Sequence, residues 1–264
     1  DPCLKVEHVA ATNETIVYGL GDLHLRVLLE RLRDVYKFEV STRPPRIAYR
    51  ETITANAEGH HRHKKQSGGA GQFGEVFLRI EPLPRGGGFE FVDQVKGGTI
   101  PGQYIPAVEK GVREAMTNGV IAGYTLVDVR VIVYDGKHHS VDSKDIAFAT
   151  AGKKAFMEAV KAARPIVLEP VANVEITAPD AAMGDIAGDL SSRRGQVSGT
   201  HNSASGTVTI RGQAPLAELA GYQSRLNAMT AGQGRYSLAL SHYDPVPPTV
   251  QAQLTSQFKV KDEE

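Results

Sequence analysis

Residues 171–243 carry one ordered series of hydrophobic periods, and that order leaves few folds open. The run 171-VANVEITA-178 is rich in β-branched residues, with Val171, Val174 and Ile176 marking a strand. Pro179-Asp180 then opens a helix that carries Met183, Ile186, Ala187 and Leu190 at helical spacing. Two strands follow, 196–201 and 207–213, separated by the turn-rich 202-NSASG-206. Pro215 starts a second helix with Leu216, Leu219 and Ala220 on one face. Gly232-Gln233-Gly234 precedes a last strand, 235-RYSLALSHY-243, in which Tyr236, Leu238 and Leu240 alternate. The sum is β-α-β-β-α-β, the split βαβ order of ferredoxin-like folds.

The N-terminal end repeats part of that order. Residues 4–9 and 14–20 read as a strand pair around a polar turn. Residues 22–36 read as an amphipathic helix with Asp22 as N-cap and Leu25, Leu28, Leu29, Leu32 and Tyr36 on one stripe. Residues 38–42, FEVST, read as a further strand that ends at Pro44-Pro45. This β-β-α-β is a ferredoxin-like unit without its first strand and helix. Together with a beginning at Asp1-Pro2, it suggests a chain cut from something longer.

The middle is of another kind. A strand is expected from Ile47 toward Ala57, then the basic 59-GHHRHKK-65, then strands at 75–82 and 89–95. A helix is expected near Pro106, a long strand at 124–134, and a second helix at about 143–162 that Pro165 ends. This is an α+β domain. The whole chain is therefore α+β and multi-domain.

Within the middle, 69-GAGQFGEV-76 reads G-x-G-x-x-G-x-V, the form of a kinase phosphate-covering loop. Its surroundings do not fit a nucleotide. A dinucleotide fingerprint follows a buried strand and opens a helix, whereas here a basic segment precedes and a strand follows. The V-A-I-K, H-R-D and D-F-G elements of a kinase do not occur, nor does G-x-x-x-x-G-K-[ST]. The remaining reason for glycine is conformational: Gly68, Gly69, Gly71 and Gly74 permit positive φ and close backbone approach. Gln66, Ser67 and Gln72 add polar groups that can bond a base edge or a 2′-hydroxyl. Alone, this is an ordinary long hairpin loop. A second loop, 135-DGKHHSVDS-143, also ends a long strand; if the strands are neighbours, both loops meet at one tip with Lys64 and Lys65 behind it. Such a tip suits nucleic-acid backbone and grooves.

Formal net charge is zero, so RNA binding has to come from local patches and not from a global field. Cys3 is the only cysteine, which excludes a disulfide framework and a CxxC metal clamp. No segment is apolar for long enough to span a bilayer and no signal-peptide pattern is present; no membrane partner and a cytoplasmic location are expected.

The ordered set 21-GDLHL-25, 49-YRETI-53, 65-KQSGGAGQFG-74, 89-FEFVDQVKGGTIP-101, 103-QYIPAVEKGVREAM-116 and 122-AGYTLVDVRV-131 closely resembles bacterial translation elongation factor G. The likeness continues through 134-YDGKHHSVDS-143, 168-LEP-170, 183-MGDIAGDLSSRRG-195, 215-PLAELAGY-222 and 241-SHYDPVP-247. The resemblance covers nearly the whole chain and is to the C-terminal part of that family. It implies that residues 1–46 are most of domain III, 47–170 domain IV, 171–250 domain V, and 251–264 a C-terminal tail. Domain IV is then ribosomal-protein-like, with a left-handed βαβ crossover. GTP and Mg would be bound by an N-terminal domain absent here, so this chain would be no enzyme and hold no cofactor, although its parent would be a GTPase. The implied partners are both ribosomal subunits and their RNA, tRNA and mRNA in the decoding region, and the parent's own GTPase domains. The implied function is promotion of tRNA–mRNA translocation.

By the same resemblance, Gln66, Ser67, Gly68, Gly69, Gly71 and Gln72, with Gly74 behind them, form the first tip loop. Asp135, Gly136 and His139 form the second, completed by Val141, Asp142 and Ser143; His139 matches the family's tip histidine, which approaches the tRNA–mRNA duplex. Asp142 has a second reading as a helix cap. Ser192, Arg193 and Arg194 match a segment near large-subunit RNA, where a helix start and paired arginines suit phosphate. The chain departs from the family at Ala70, Asn227, Ala231 and Gln233, each of which removes a phosphate-contacting side chain. Those departures keep a recycling or ribosome-protection paralogue open. The bland readings are simple: His60, His61 and His63 lack a completing cluster and read as a solvated basic strand end, and His139, Asp142 and Ser143 lack the motifs of a catalytic triad.

Overall fold

A computed structural model describes residues 1–9, 12–65, 71–203 and 205–258. The chain opens with β1 (Lys5–Val9) and β2 (Glu14–Tyr18), an antiparallel pair, and α1 (Asp22–Asp34). Gly21, not Asp22, is the N-cap, and no side chain caps the helix. The strand expected at 38–42 does not form. A strand needs a ladder partner to satisfy its amides, and β1–β2 is a separate two-stranded sheet. No residue of α1 is buried, and Leu20, Leu23, Val27, Phe38 and Val40 stand exposed.

The expected strand from Ile47 is only β3 (Arg50–Thr52), and the basic stretch is itself strand, β4 (Ala57–Lys65). There follow β5 (Gln72–Pro82), β6 (Phe89–Asp93), α2 (Ile105–Asn118), β7 (Val129–Lys137) and α3 (Asp145–Ala162). The sheet order is β4-β5-β7-β6, with β6 and β7 parallel on either side of α2 in sequence. Val76, Leu78 and Ile80 of β5 and Val129, Val131 and Val133 of β7 are fully buried. They form one core with Val108 and Val112 of α2 and Phe148, Ala155 and Phe156 of α3. A Cβ at Gly59 would strike the Ala155 carbonyl oxygen, so α3 lies directly on β4.

Next come β8 (Ile166–Pro179), α4 (Met183–Ser192), β9 (Gln196–Asn202), β10 (Thr207–Pro215), α5 (Tyr222–Thr230) and β11 (Arg235–Pro245). The sheet order β11-β8-β10-β9 is the ferredoxin-like arrangement, in which the fourth strand lies beside the first. Val174, Ile176, Val208 and Ile210 pack beneath Ile186, Leu190, Tyr222 and Leu226 of the two helices. Asn173, Glu175, Arg211 and Gln213, one residue out of phase, face away and are exposed.

Contacts divide the chain into two units, Asp1–Ala48 with Glu169–Asp244, and Tyr49–Leu168 with Pro245–Glu264. The expected boundary at 170/171 falls inside β8. The segment expected as a tail holds α6 (Pro248–Gln257). Val246, Val250 and Leu254 pack with Tyr49, Ala122, Tyr124 and Val167 of the second unit.

Candidate nucleic-acid interface

Register brings three loops to one end of the middle sheet. Lys65 pairs with Gln72, so the β4–β5 connection leaves at that end. Lys137 pairs with Glu75, so β7 leaves there too. Parallel pairing of Asp93 with Val133 sends the loop after β6 the same way. The two tip loops expected from sequence do meet. Phe73 N–H donates to the Asp142 carbonyl (2.9 Å), and Ser143 Oγ donates to the Phe73 carbonyl (3.1 Å). A Cβ on Gly71 would lie 2.9 Å from the Asp142 carboxyl carbon. Glycine there lets the chain pass close to the Asp142 side chain. No helix follows the loop, which excludes a helix-N-terminal nucleotide cradle.

Of the expected tip residues, Gln66, Ser67, Gly68 and Gly69 lie outside the described residues, as does Ala70. Gln72 turns back along the hairpin, accepting at Oε1 from His63 Nε2 (3.2 Å). Asp135 is exposed, with Oδ1 accepting from Gly136 N–H (2.8 Å). Gly136 is buried: a Cβ would overlap the Glu75 carbonyl, so its place is packing and it presents no surface. His139 is half exposed. Its backbone N–H donates to Ser143 Oγ (2.8 Å), and its Nδ1 accepts from Val141 N–H (3.3 Å) and Asp142 N–H (3.2 Å). Asp142 does not cap α3, whose N-cap is Lys144; its Oδ2 stands 3.5 Å from His139 Nδ1.

The third loop, residues 94–101, was given no place at the tip from sequence, and the strand expected over 89–95 ends at Asp93. Asp93 Oδ1 accepts from Val95 N–H (2.9 Å), and Gly97 and Gly98 both take positive φ (67° and 69°). His138 Nδ1 donates to the Thr99 carbonyl (3.2 Å), tying this loop to the second. Adjacent glycines in 96-KGGT-99 were the available signal.

Lys64, Lys65, Lys96 and Lys144 are exposed, and none has an ion pair with a described residue. Of the acids nearby, Asp93 and Asp135 hold backbone amides and Asp142 lies against His139, while Asp145 is exposed in the first turn of α3. Glu75 is buried, bonded by His60 (2.8 Å) and paired with Arg62 (3.1 Å). Burial pushes its carboxyl up, but the bonds from His60 and Arg62 outweigh this and hold it below the usual carboxylate range. A depression of about 250 Å³ lies among Lys64, Lys65, Gly71, Gln72, Phe73 and His139. His60 stacks on Phe77 with centroids 4.1 Å apart. Among the described residues no group of His, Cys, Asp and Glu could hold a metal ion.

Ser192, Arg193 and Arg194 close α4 instead of opening a helix. Arg194 takes positive φ (60°), with Gly195 N–H bonded to the Leu190 carbonyl at 2.8 Å, the αL helix stop. Helix C-termini disfavour anions. Both guanidiniums are also engaged. Arg194 grips the buried Glu169 with two hydrogen bonds and pairs with Glu218 (2.9 Å). Arg193 donates to Asp189 (2.8 Å) and to the Glu218 carbonyl (2.6 Å). Ser192 Oγ donates to the Asp189 carbonyl (2.7 Å).

Three family models match consecutive stretches of the chain: "Elongation Factor G, domain III" over 1–44, "Elongation factor G, domain IV" over 45–164, and "Elongation factor G C-terminus" over 166–254. An elongation factor G-like protein of Thermotoga maritima is 46% identical over 257 residues, 97% of this chain and 38% of that protein. Elongation factor G of Aquifex pyrophilus is 47% identical over 247 residues, 94% of this chain and 35% of its own length. A crystal structure of a Thermus thermophilus protein superposes with TM-score 0.85 at 40% identity, covering 97% of this chain and 38% of that one. The chain thus spans little more than a third of the length of the relatives it matches.

Proposed function

The chain belongs to the elongation factor G family, and on that premise we propose that residues 1–264 form the ribosome-contacting arm of a translational GTPase that promotes tRNA–mRNA translocation. Domain III is assigned to residues 1–46, domain IV to 47–170 and domain V to 171–250. The three-loop end of the middle sheet is the part that meets tRNA and mRNA in the decoding region. GTP and Mg would be bound by other domains of a longer factor, which acts in the cytoplasm on both ribosomal subunits. The observation that carries this reading is the set of exposed lysines at this end that have no ion pair with a described residue, Lys64 and Lys65 at the end of β4, Lys96 in the third loop and Lys144 before α3, where Phe73 N–H donates to the Asp142 carbonyl. A cationic end whose described parts are tied to one another acts by occupying space and by contacting phosphate. Ser192, Arg193 and Arg194 face ribosomal RNA in this reading, with backbone and Ser192 as the contact, because the guanidiniums are engaged within the domain.

The test is ribosome binding by the chain across a salt series. Replacing Lys64, Lys65 and Lys96 with alanine lowers affinity, and each lost phosphate contact reduces the salt slope by about 0.7–0.9. Unchanged affinity and slope would refute the assignment. In a longer factor carrying these domains, His139→Ala slows tRNA movement far more than GTP hydrolysis. The alternative, recycling or ribosome protection, is favoured by Ala231 and Gln233. Ala231 holds positive φ (51°) at the end of α5 and offers no phosphate-contacting group. Subunit splitting measured beside translocation separates the two.

A further inference from the structure

We infer that the tip loop holds His139 in one tautomer, so that its outward edge can only donate, and that its Nε2–H reads an acceptor oxygen on nucleic acid. The ligand half of this rests on the nucleic-acid reading of the tip; the tautomer half does not. Val141 N–H and Asp142 N–H both point at Nδ1, at 3.3 and 3.2 Å. A backbone nitrogen can only donate, so Nδ1 must offer its lone pair. A neutral imidazole with bare Nδ1 carries its proton on Nε2. If the ring gains a second proton the amide bonds to Nδ1 are lost, yet Nε2 still bears hydrogen. In every state that keeps the ring in place, the outer nitrogen is a donor.

The ring is well fixed for this purpose. Its own backbone N–H is held by Ser143 Oγ (2.8 Å), which is itself tied to the Phe73 carbonyl (3.1 Å). The Phe73 ring lies 6.3 Å away, tilted by 60°. The side chain is 54% exposed, and Nε2 has no partner among the described residues. The preceding residue is set the opposite way. His138 Nδ1 faces the Thr99 carbonyl (3.2 Å), which can only accept, so Nδ1 holds the proton and Nε2 is bare when that ring is neutral. Neighbouring histidines on one loop therefore present opposite hydrogen-bonding edges. The donor edge of His139 and the lysine ammonium groups of this end match the acceptor oxygens of an RNA backbone.

Long-range proton–nitrogen correlation spectra of the labelled chain test the tautomer directly. The expected result is His139 protonated at Nε2 with bare Nδ1, and His138 the reverse. A His139 ring protonated at Nδ1 and paired with Asp142, whose Oδ2 is 3.5 Å away, would overturn the inference. Two variants test the ligand half. His139→Gln keeps a donor near the Nε2 position but gives up the Nδ1 acceptor. His139→Asn keeps the acceptor and gives up the donor. Amide exchange at Val141 and Asp142 should therefore rise in Gln and not in Asn, whereas affinity for a short RNA hairpin should fall about tenfold in Asn and much less in Gln. A hairpin with 2′-deoxy sugars separates the two acceptor sources: loss of the Asn effect there assigns the 2′-oxygen, and its persistence assigns phosphate or base. Equal loss in both variants, or loss confined to Gln, would overturn the donor assignment. If the parent chain itself fails to bind the hairpin, the nucleic-acid reading falls, and the spectra still decide the tautomer.

Discussion

Replacing Glu51 with glutamine should unfold the middle unit at markedly lower denaturant, because its carboxylate organises a whole segment. Glu51 is fully buried. Its Oε2 accepts from Val120 N–H (2.7 Å) and Ile121 N–H (3.0 Å), and its Oε1 from Ala122 N–H (2.8 Å) and Tyr124 N–H (3.1 Å). Its backbone pairs with the same stretch, N–H to the Thr125 carbonyl and carbonyl to Val127 N–H. Within residues 120–127, Glu51 accepts from five backbone N–H groups and donates to one carbonyl. A glutamine has one acceptor oxygen, and its NH₂ group would face two donors. Two backbone amides left without acceptors cost about 1–3 kcal/mol each, or about 4 kcal/mol together. For a unit of this size that is a fall in Tm of about 8–16 °C. Tyr49 and Tyr124, with rings 5.1 Å apart beside this segment, give a near-ultraviolet circular dichroism signal that reports its unfolding. Amide exchange at 120–124 should rise first. A loss under about 1 kcal/mol, or exchange unchanged at those amides, would refute the assignment of the segment to Glu51.

Three other outcomes follow from named contacts. Gly59→Ala drives a methyl into the Ala155 carbonyl and should destabilise the middle unit by about 2–3 kcal/mol, read from urea midpoints at unchanged slope. Glu75 has its carboxyl held below the ordinary 4.5, so its contribution is present above that value and is lost as pH falls through the folded pKa. Stability of Glu75→Gln should consequently fall less steeply than the parent's on acidification below about pH 4.5; parallel acid limbs would contradict this. Arg194→Ala leaves the Glu169 carboxylate buried and unpaired and should cost about 2–3 kcal/mol, reduced from the fully buried case because a third of the arginine is exposed. A double-mutant cycle with Glu169→Ala should show coupling above about 1 kcal/mol, and additive effects would mean the pair is passive.

What was legible in the sequence was whatever repeats over a short span. The strands from 171 to 243 and their first helix were readable because each period sits within one element, and their order then implies the sheet order; the second helix, expected from Pro215, begins only at Tyr222, because Pro215 ends β10 and Leu216–Leu219 form a 3₁₀ turn. Elements that depend on a distant partner were not readable. Residues 38–42 have strand composition, yet Phe38 and Val40 remain exposed because no ladder forms beside them. The basic 59–65 stretch looks solvated, but alternate residues turn His61 toward α3 while His60 and Arg62 meet Glu75. α6 was missed because few apolar residues mark it, although Pro248 in its first turn was a usable signal. The third tip loop follows only from the parallel pairing of β6 with β7, which no local pattern announces. Glu51 stands in a motif of the family, but nothing in 49-YRETI-53 shows that its acid turns inward onto amides some seventy positions away.

The lysines of the three-loop end differ in their pairing from several arginines elsewhere in the chain. Several arginines are matched to fixed carboxylates: Arg194 to Glu169 and Glu218, Arg193 and Arg225 to Asp189, Arg130 to Glu81 and Glu90. A planar fork suits that geometry. The lysines of the three-loop end lack such partners and keep a hydrated, mobile charge. Since the net formal charge is zero, the field of this end is not reinforced from elsewhere, and salt at cellular strength screens it within about 8 Å. The tip therefore contributes at contact and does little to draw the chain in from a distance. On the nucleic-acid reading proposed above, shape and the donor edge inferred for His139 would supply selectivity once contact is made, with the lysines adding affinity that any phosphate backbone would share.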